Sequence, residues 1–259
     1  MIRVVVGGAT GRLGSLICNS VRQQKDMQLV GGIVSQTGGH VGKEIAPGIL
    51  AFGVDDMVKV LEQADVYLDA TSASAVEHNL LQVPGLGVNC VIGTTGLSED
   101  FLERFEGQVV ENDVSAVVSP NFSVGVNVFW KICGVLAAVL EDYDVEIIET
   151  HHDKKKDAPS GTALRAAQIV SEVTGIEKLT HGRRGVTGDR GREIGIHSIR
   201  AGDVVGEHTI IFAGNKERIE LTHRAHSREA FAEGAVTAIR WVSARRDSKV
   251  HSMAEVLGL

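Results

Sequence analysis

Ile2-Arg3-Val4-Val5-Val6 opens the chain as a short β-branched run ending in glycine, the pattern of a buried strand. Leu13, Ile17 and Val21 then recur at helical spacing and predict a helix over residues 12–24. The alternation continues with strands predicted over 27–34, 66–70, 89–92 and 116–119 and helices over 56–63, 73–81 and 98–106. Residues 38–53 are glycine-rich and read as loop. Ser98 stands as N-cap of the last of these helices, with Glu99 and Asp100 in its first turn. Strands alternating with helices over about 120 residues predict an α/β fold, a Rossmann-type doubly wound parallel sheet.

Beyond Asn121 the pattern changes. A long helix is predicted over 126–140, a strand over 144–150, and a helix from Ser160 to 174. Strand-like runs over 194–201, 207–213 and 217–223 are separated by Gly202-Asp203 and Gly214-Asn215, which predicts antiparallel hairpins. A helix over 229–244 closes the chain. The expected organisation is a dinucleotide-binding domain over 1–122, to which the C-terminal helix of 230–259 returns, and an α+β domain over 123–229 with a mostly antiparallel sheet.

Composition narrows the classes. The chain has 259 residues, 43% hydrophobic and 23% charged, which suits one large core or two modest ones. Thirty glycines against four prolines suit ordered α/β structure with tight turns. A net charge of -7 argues against nucleic acid or an anionic membrane as partner, so an anionic substrate must be gripped by a local basic cluster. Cys18, Cys90 and Cys133 have neither disulfide nor metal spacing and read as small buried hydrophobes in a reducing compartment. The N-terminal run is too short for a signal peptide, and the apolar stretch over 132–140 is too short to cross a bilayer, so a cytoplasmic protein is expected.

Gly8-Ala9-Thr10-Gly11-Arg12-Leu13-Gly14 places three glycines between a predicted strand and helix. Such a turn lets backbone approach a pyrophosphate, which the helix N-terminus then holds. No G-K-[ST] follows, which excludes a P-loop. The second strand ends Ile33-Val34-Ser35-Gln36 without the acid that would grip ribose hydroxyls, so NADPH should be accepted at least as well as NADH. Arg12 has the charge for a phosphate partner, and a solvated surface arginine is the equal alternative. Gly93-Thr94-Thr95-Gly96 stands where a nicotinamide half is expected, or is simply a polar turn.

The densest chemistry lies in His151-His152-Asp153-Lys154-Lys155-Lys156-Asp157-Ala158-Pro159-Ser160-Gly161-Thr162. Adjacent histidines in extended chain point to opposite sides and have no third ligand at useful spacing, so no metal is expected. A charge run is generically a solvated loop. The catalytic alternative rests on cations concentrated in an acidic protein beside a helix N-terminus at Ser160-Gly161-Thr162, a site for two carboxylates with proton donors at hand.

That segment, as E-x-H-H-x-x-K-x-D-A-P-S-G-T, resembles the signature of the 4-hydroxy-tetrahydrodipicolinate reductase (dihydrodipicolinate reductase) family. The similarity also covers the Gly8–Gly14 turn, Gly93-Thr94-Thr95-Gly96, Asn121-Phe122-Ser123-Val124-Gly125, the run from Arg200 to Thr209, and Thr222 to Arg228. The resemblance implies reduction of 4-hydroxy-tetrahydrodipicolinate to tetrahydrodipicolinate and water with NADPH or NADH, in lysine and diaminopimelate biosynthesis. It implies His151 in proton transfer, Lys155 as proton donor, and His152, Gly161 and Thr162 on the carboxylates of a small dicarboxylate. It further implies cofactor contacts from Gly8, Ala9, Thr10, Gly11, Arg12, Leu13 and Gly14, from Ser35, from Gly93, Thr94 and Thr95, and from Ser119, Pro120, Asn121 and Phe122. A homotetramer built through the sheet of the second domain is implied as well.

Two departures matter. Members favouring NADH often carry an acid where Val34 stands, and Asp153 beside the histidines should raise their pKa. Among rivals, a short-chain dehydrogenase needs Tyr-x-x-x-Lys, yet Tyr67 is followed at that spacing by Thr71 and Tyr143 by Ile147. A cysteine-nucleophile aldehyde dehydrogenase is disfavoured by three cysteines in apolar runs. A non-catalytic nucleotide sensor would not need the His151–Lys155 cluster.

Overall fold

The computed structural model describes all residues, 1–259, and its first strand shows why the sheet is parallel and covered on both sides. In β1 (Ile2–Gly7) Val4 and Val6 enter one core and Val5 another, and all three are fully buried. In chain order there follow α1 (Arg12–Gln23), β2 (Met27–Val34), β3 (Glu44–Ala46), β4 (Ile49–Gly53), α2 (Met57–Leu61), β5 (Val66–Asp69), α3 (Ala73–Asn79), β6 (Asn89–Ile92), α4 (Glu99–Glu111) and β7 (Ala116–Val118). Then come α5 (Val124–Val139), β8 (Asp144–His151), α6 (Gly161–Thr174), β9 (Leu179–His181), β10 (Ile194–Arg200), β11 (Gly206–Gly214) and β12 (Glu217–Ala225). The chain closes with α7 (Glu229–Ser243), β13 (Val250–His251) and α8 (Met253–Leu257).

Two compact units result: Met1–Ser123 with Arg228–Leu259, and Val124–Ser227. The first is built on an eight-stranded sheet in the order β13-β7-β6-β5-β1-β2-β4-β3, parallel except for the edge pair β3–β4. Ile17 and Val21 of α1 and Ile239 of α7 cover one face with Val4 and Val6, while Leu61 of α2 and Phe105 of α4 cover the other with Val5. Residues 38–53, expected as loop, contain β3 and β4. There Ala51 is buried and pairs with Gly32 of β2 while Leu50 faces out, an alternation too short to stand out among the flanking glycines. No helix is long and apolar enough to cross a membrane.

The second unit carries a five-stranded mixed sheet in the order β12-β11-β8-β10-β9. Its longest ladder, β11 with β12, is the expected hairpin, turning at Asn215 and Lys216, both at positive φ (49° and 66°), as a two-residue turn between twisted strands demands. The other expected hairpin does not form. β10 pairs in parallel with β8, and β8 in turn pairs antiparallel with β11, so residues 201–205 cross over the end of β8 instead of turning back beside β10. The covered face of β8 (Val145, Ile147) explains its central place: α5 and α6 pack there with Ile194, Ile196, Ile210 and Phe212.

Candidate active site

The covered face of the second sheet changes chemistry towards one end. Following the period of two, β8 continues from Ile147 to Glu149 and His151, β10 from Ile196 to Ser198 and Arg200, β11 from Ile210 back to His208, and β12 from Leu221 to His223. Register aligns Ser198, Glu149, His208 and His223 on one rung, and Arg200 with His151 on the next. An apolar core thus runs directly into a row of titratable groups.

Glu149 is the hub. Its carboxylate is fully buried and accepts both Arg200 guanidinium nitrogens, at 2.9 and 2.8 Å, the Ser160 backbone N–H at 3.2 Å, and His151 Nδ1 at 2.5 Å. Burial by itself would raise this carboxyl, but the hydrogen bonds from Arg200, Ser198 and His151 outweigh it and hold it below the usual glutamate range. With Nδ1–H committed to Glu149, the Nε2 of His151 is left as its working nitrogen. The acid beside His151 is therefore Glu149, two residues back. The expected rise in its pKa does not occur: burial lowers it and outweighs the carboxylate.

Arg200 reaches further, donating to the Asp157 carbonyl at 2.6 Å and so tying residues 153–160 to the strand ends. Within that segment Lys155 Nζ contacts both Asp157 oxygens, at 2.9 and 2.8 Å, and Lys155 lies close enough to help depress His151. Ser160 caps α6 by accepting the Ala163 N–H at 3.2 Å. No acid occupies the first turn of α6, and a Cβ at Gly161 would meet nothing within 4 Å, so its first N–H groups are open to an anion. Thr162 is half-buried, its carbonyl held by Trp130 Nε1 at 3.0 Å. His152 is half-buried, with its Nδ1 buried and unpartnered. No group of three or more His, Cys, Asp or Glu is arranged to hold a metal ion.

The second constellation is in the first unit. Gly8 sits at φ +73°, and a Cβ there would lie 2.6 Å from the Ala70 carbonyl oxygen, so glycine is required. A Cβ on Gly14 would lie 2.1 Å from the Gly8 carbonyl oxygen, so Gly14 is what lets α1 start this close to the turn. α1 has no acid in its first turn and no side-chain cap. Beside it lies a cavity of about 530 Å³ whose walls include Gly8, Thr10, Gly11, Val34, Ser35 and Thr71. This is a cradle that fits a dinucleotide phosphate. Ala9 and Leu13 instead pack into the core, Gly14 is buried, and Arg12 is exposed.

At the neighbouring strand ends, buried Asp69 accepts from Tyr67 (2.8 Å), from the Thr71 N–H and hydroxyl (2.9 and 2.7 Å) and from Thr94 (2.7 Å), which joins the ends of β5 and β6. Gly93 packs so closely on the Phe122 ring that a Cβ would lie 2.6 Å from it, and Ser119 Oγ donates to the Asn121 carbonyl at 2.8 Å. Thr95 and Pro120 are exposed. The roles of Glu149, Arg200, His208 and Asp69 escape sequence reasoning, although titratable residues continuing an apolar alternation at strand ends are the signal that marks the first three.

A glycine cradle at the carboxyl edge of a parallel sheet, with acid–base groups held on a separate α+β unit, defines a nicotinamide-dependent oxidoreductase. The particular lineage follows from comparison. Residues 2–122 match the family described as "Dihydrodipicolinate reductase, N-terminus" and residues 125–257 that described as "Dihydrodipicolinate reductase, C-terminus". The chain belongs to the dihydrodipicolinate reductase family. It is 51% identical to the 4-hydroxy-tetrahydrodipicolinate reductase of Methanosarcina barkeri, with 100% of both chains covered. It is 48% identical to that of Methanocaldococcus jannaschii, covering 100% of this chain and 98% of the relative. Among solved structures, the dipicolinate-bound dihydrodipicolinate reductase of Paenisporosarcina sp. TG-14 superposes with a TM-score of 0.82 at 29% identity, covering 98% of each chain. A probable dehydrogenase of Thermotoga maritima shares the fold at 13% identity and a TM-score of 0.67, covering 96% of this chain and 91% of its own.

Proposed function

We propose that this chain reduces 4-hydroxy-tetrahydrodipicolinate to tetrahydrodipicolinate and water, and that the carrying observation is the Glu149-anchored His151 beside the Lys155–Asp157 pair at the N-terminus of α6. When bound, the reduced nicotinamide supplies a hydride. Gly8, Thr10 and Gly11 would hold its phosphates at the start of α1, and Ser35 the ribose side. Once the substrate's hydroxyl has left as water and a conjugated double bond stands in the ring, Lys155 gives its proton to the end of that bond opposite the hydride, and His151 Nε2 stands in the same cluster to pass a proton taken from solvent back to Lys155. Gly161 and Thr162 hold one carboxylate through backbone N–H groups, and His152 receives the other. Arg200, neutralised by Glu149, acts by fixing the segment and adds little to the field on the substrate.

NADPH is accepted at least as well as NADH, because Val34, Ser35 and Gln36 put no carboxylate against a 2′-phosphate. The protein works in the cytoplasm, where its three buried free cysteines stay reduced. It assembles as a homotetramer through the helix-free face of the second sheet, where Ile199 is 45% exposed. The decisive experiment follows the absorbance of NADH and NADPH in parallel after supplying the condensation product of pyruvate and aspartate semialdehyde. Oxidation of neither cofactor would refute the assignment.

A further inference from the structure

The rung that carries Glu149 also carries His208, which none of the acid–base steps above uses. It is nonetheless closely held: 4% exposed, with Nε2 2.9 Å from Ser160 Oγ and its ring edge-on to His151 at a centroid distance of 5.1 Å. His208 Nδ1 is buried without a partner, so the bond between Nε2 and the Ser160 hydroxyl, whose direction the tautomer sets, is the one hydrogen bond the ring makes. Burial, aided by His151, pushes His208 down to about 3, so the ring is neutral near pH 7. One side chain thus touches the cap of the helix whose first N–H groups are open to an anion, and the imidazole that Glu149 orients.

We propose that His208 is a positioning residue for the reductase reaction, holding the Ser160 hydroxyl and the His151 ring in a single arrangement; this rests on α6 and His151 being contacts of the dicarboxylate. A histidine that merely filled core space would be replaced by phenylalanine without consequence for the substrate. A positioning histidine would not, because phenylalanine can neither accept from Ser160 nor donate to it.

The test uses the full-length protein with its cofactor, pyridine-2,6-dicarboxylate as titrant, and steady-state kinetics. His208→Phe should raise the Kd for this dicarboxylate and the substrate KM about tenfold, with the Kd for reduced nicotinamide unchanged. His208→Gln, whose amide can both donate to Ser160 and accept from it, should recover most of the loss. The double variant His208→Phe with Ser160→Ala should be no worse than the poorer single one, since both remove the same link. Wild-type KM in His208→Phe, a glutamine variant as poor as the phenylalanine one, or multiplying effects in the double variant would each overturn the proposal. Should His208→Phe not fold, Ser160→Ala must show the loss while His208→Gln stays near wild type. A wild-type protein that binds no dicarboxylate would overturn the functional reading as well, whereas unchanged variants of a binding protein overturn this proposal alone.

Discussion

At the scale of single residues, the chemistry depends on which proton sits where. Lys155 is the one amine held inside the cluster, by Asp157 at 2.8 Å. Lys155→Ala is expected to lower kcat by about a hundredfold or more, the usual scale for a general acid, with the Kd of reduced nicotinamide unchanged in a fluorescence titration. Unimpaired turnover would remove Lys155 from the reaction. Acid sensitivity should come from two neighbours acting in the same direction. His208, pushed down to about 3 by burial and by His151, refuses protons that the unfolded chain takes up below about pH 6.5. Glu149, held low by Arg200, Ser198 and His151 against its burial, does the same below about pH 4.3. Stability is therefore complete above these unfolded values and is lost as pH falls. Melting temperatures measured from pH 7.5 to 4 should decline, and less steeply between pH 6.5 and 4 in His208→Phe.

At the scale of elements, glycines decide how closely parts approach. Gly206 lies where β11 passes the His151 ring, and a Cβ there would come within 3.1 Å of His151 Nε2. Gly206→Val should displace the imidazole and lower kcat by about tenfold or more while cofactor affinity holds, measured by the same titration. Gly14→Ala acts on the other unit. Its Cβ would meet the Gly8 carbonyl at 2.1 Å, a backbone atom that cannot turn aside, so α1 must shift from the turn. Cofactor Kd should rise at least tenfold with dicarboxylate affinity little changed, and an unaltered cofactor Kd would contradict the cradle. Elements also mark where pattern reading ends. The runs at Ile2, Met27 and Val66 were legible because buried parallel strands are nearly continuous apolar runs, whereas β13 and α8 span only two and five residues, too few for a period to repeat.

At the scale of the whole molecule, the chain returns to its first unit through α7 and closes on β13 and α8. Asn89 Nδ2 donates to the Val242 carbonyl at 2.7 Å, and β13 extends the sheet beside β7. Met253 and Val256 of α8 are buried in the core under α7, and a capping box at Ser252 and Glu255 fixes the start of α8. Deleting residues 250–259 exposes that core and the edge of β7. The first thermal transition should fall by about 10 °C, scaled from two lost apolar side chains. A truncated protein that melts like the full chain would mean that the closing elements contribute nothing to stability.

The alternation of strand and helix, the strand–glycine–helix start, and the cluster from His151 to Thr162 were all readable along the chain, because each is set by neighbours a few positions apart. Glu149 and Arg200 are present in the same string of letters, 51 positions apart, yet nothing local says that they meet. Their pairing depends on β8 lying between β10 and β11, an order that turn chemistry at Gly202-Asp203 argued against. With β8 between β10 and β11, their apolar faces lie together under α5 and α6, and only in that order do Glu149, His151, Arg200 and His208 share one rung or the next. Residue types and spacing thus determined what chemistry the chain carries. The tertiary structure alone decided which carboxylate orients His151 and that burial, outweighing that carboxylate, keeps the imidazole's pKa low.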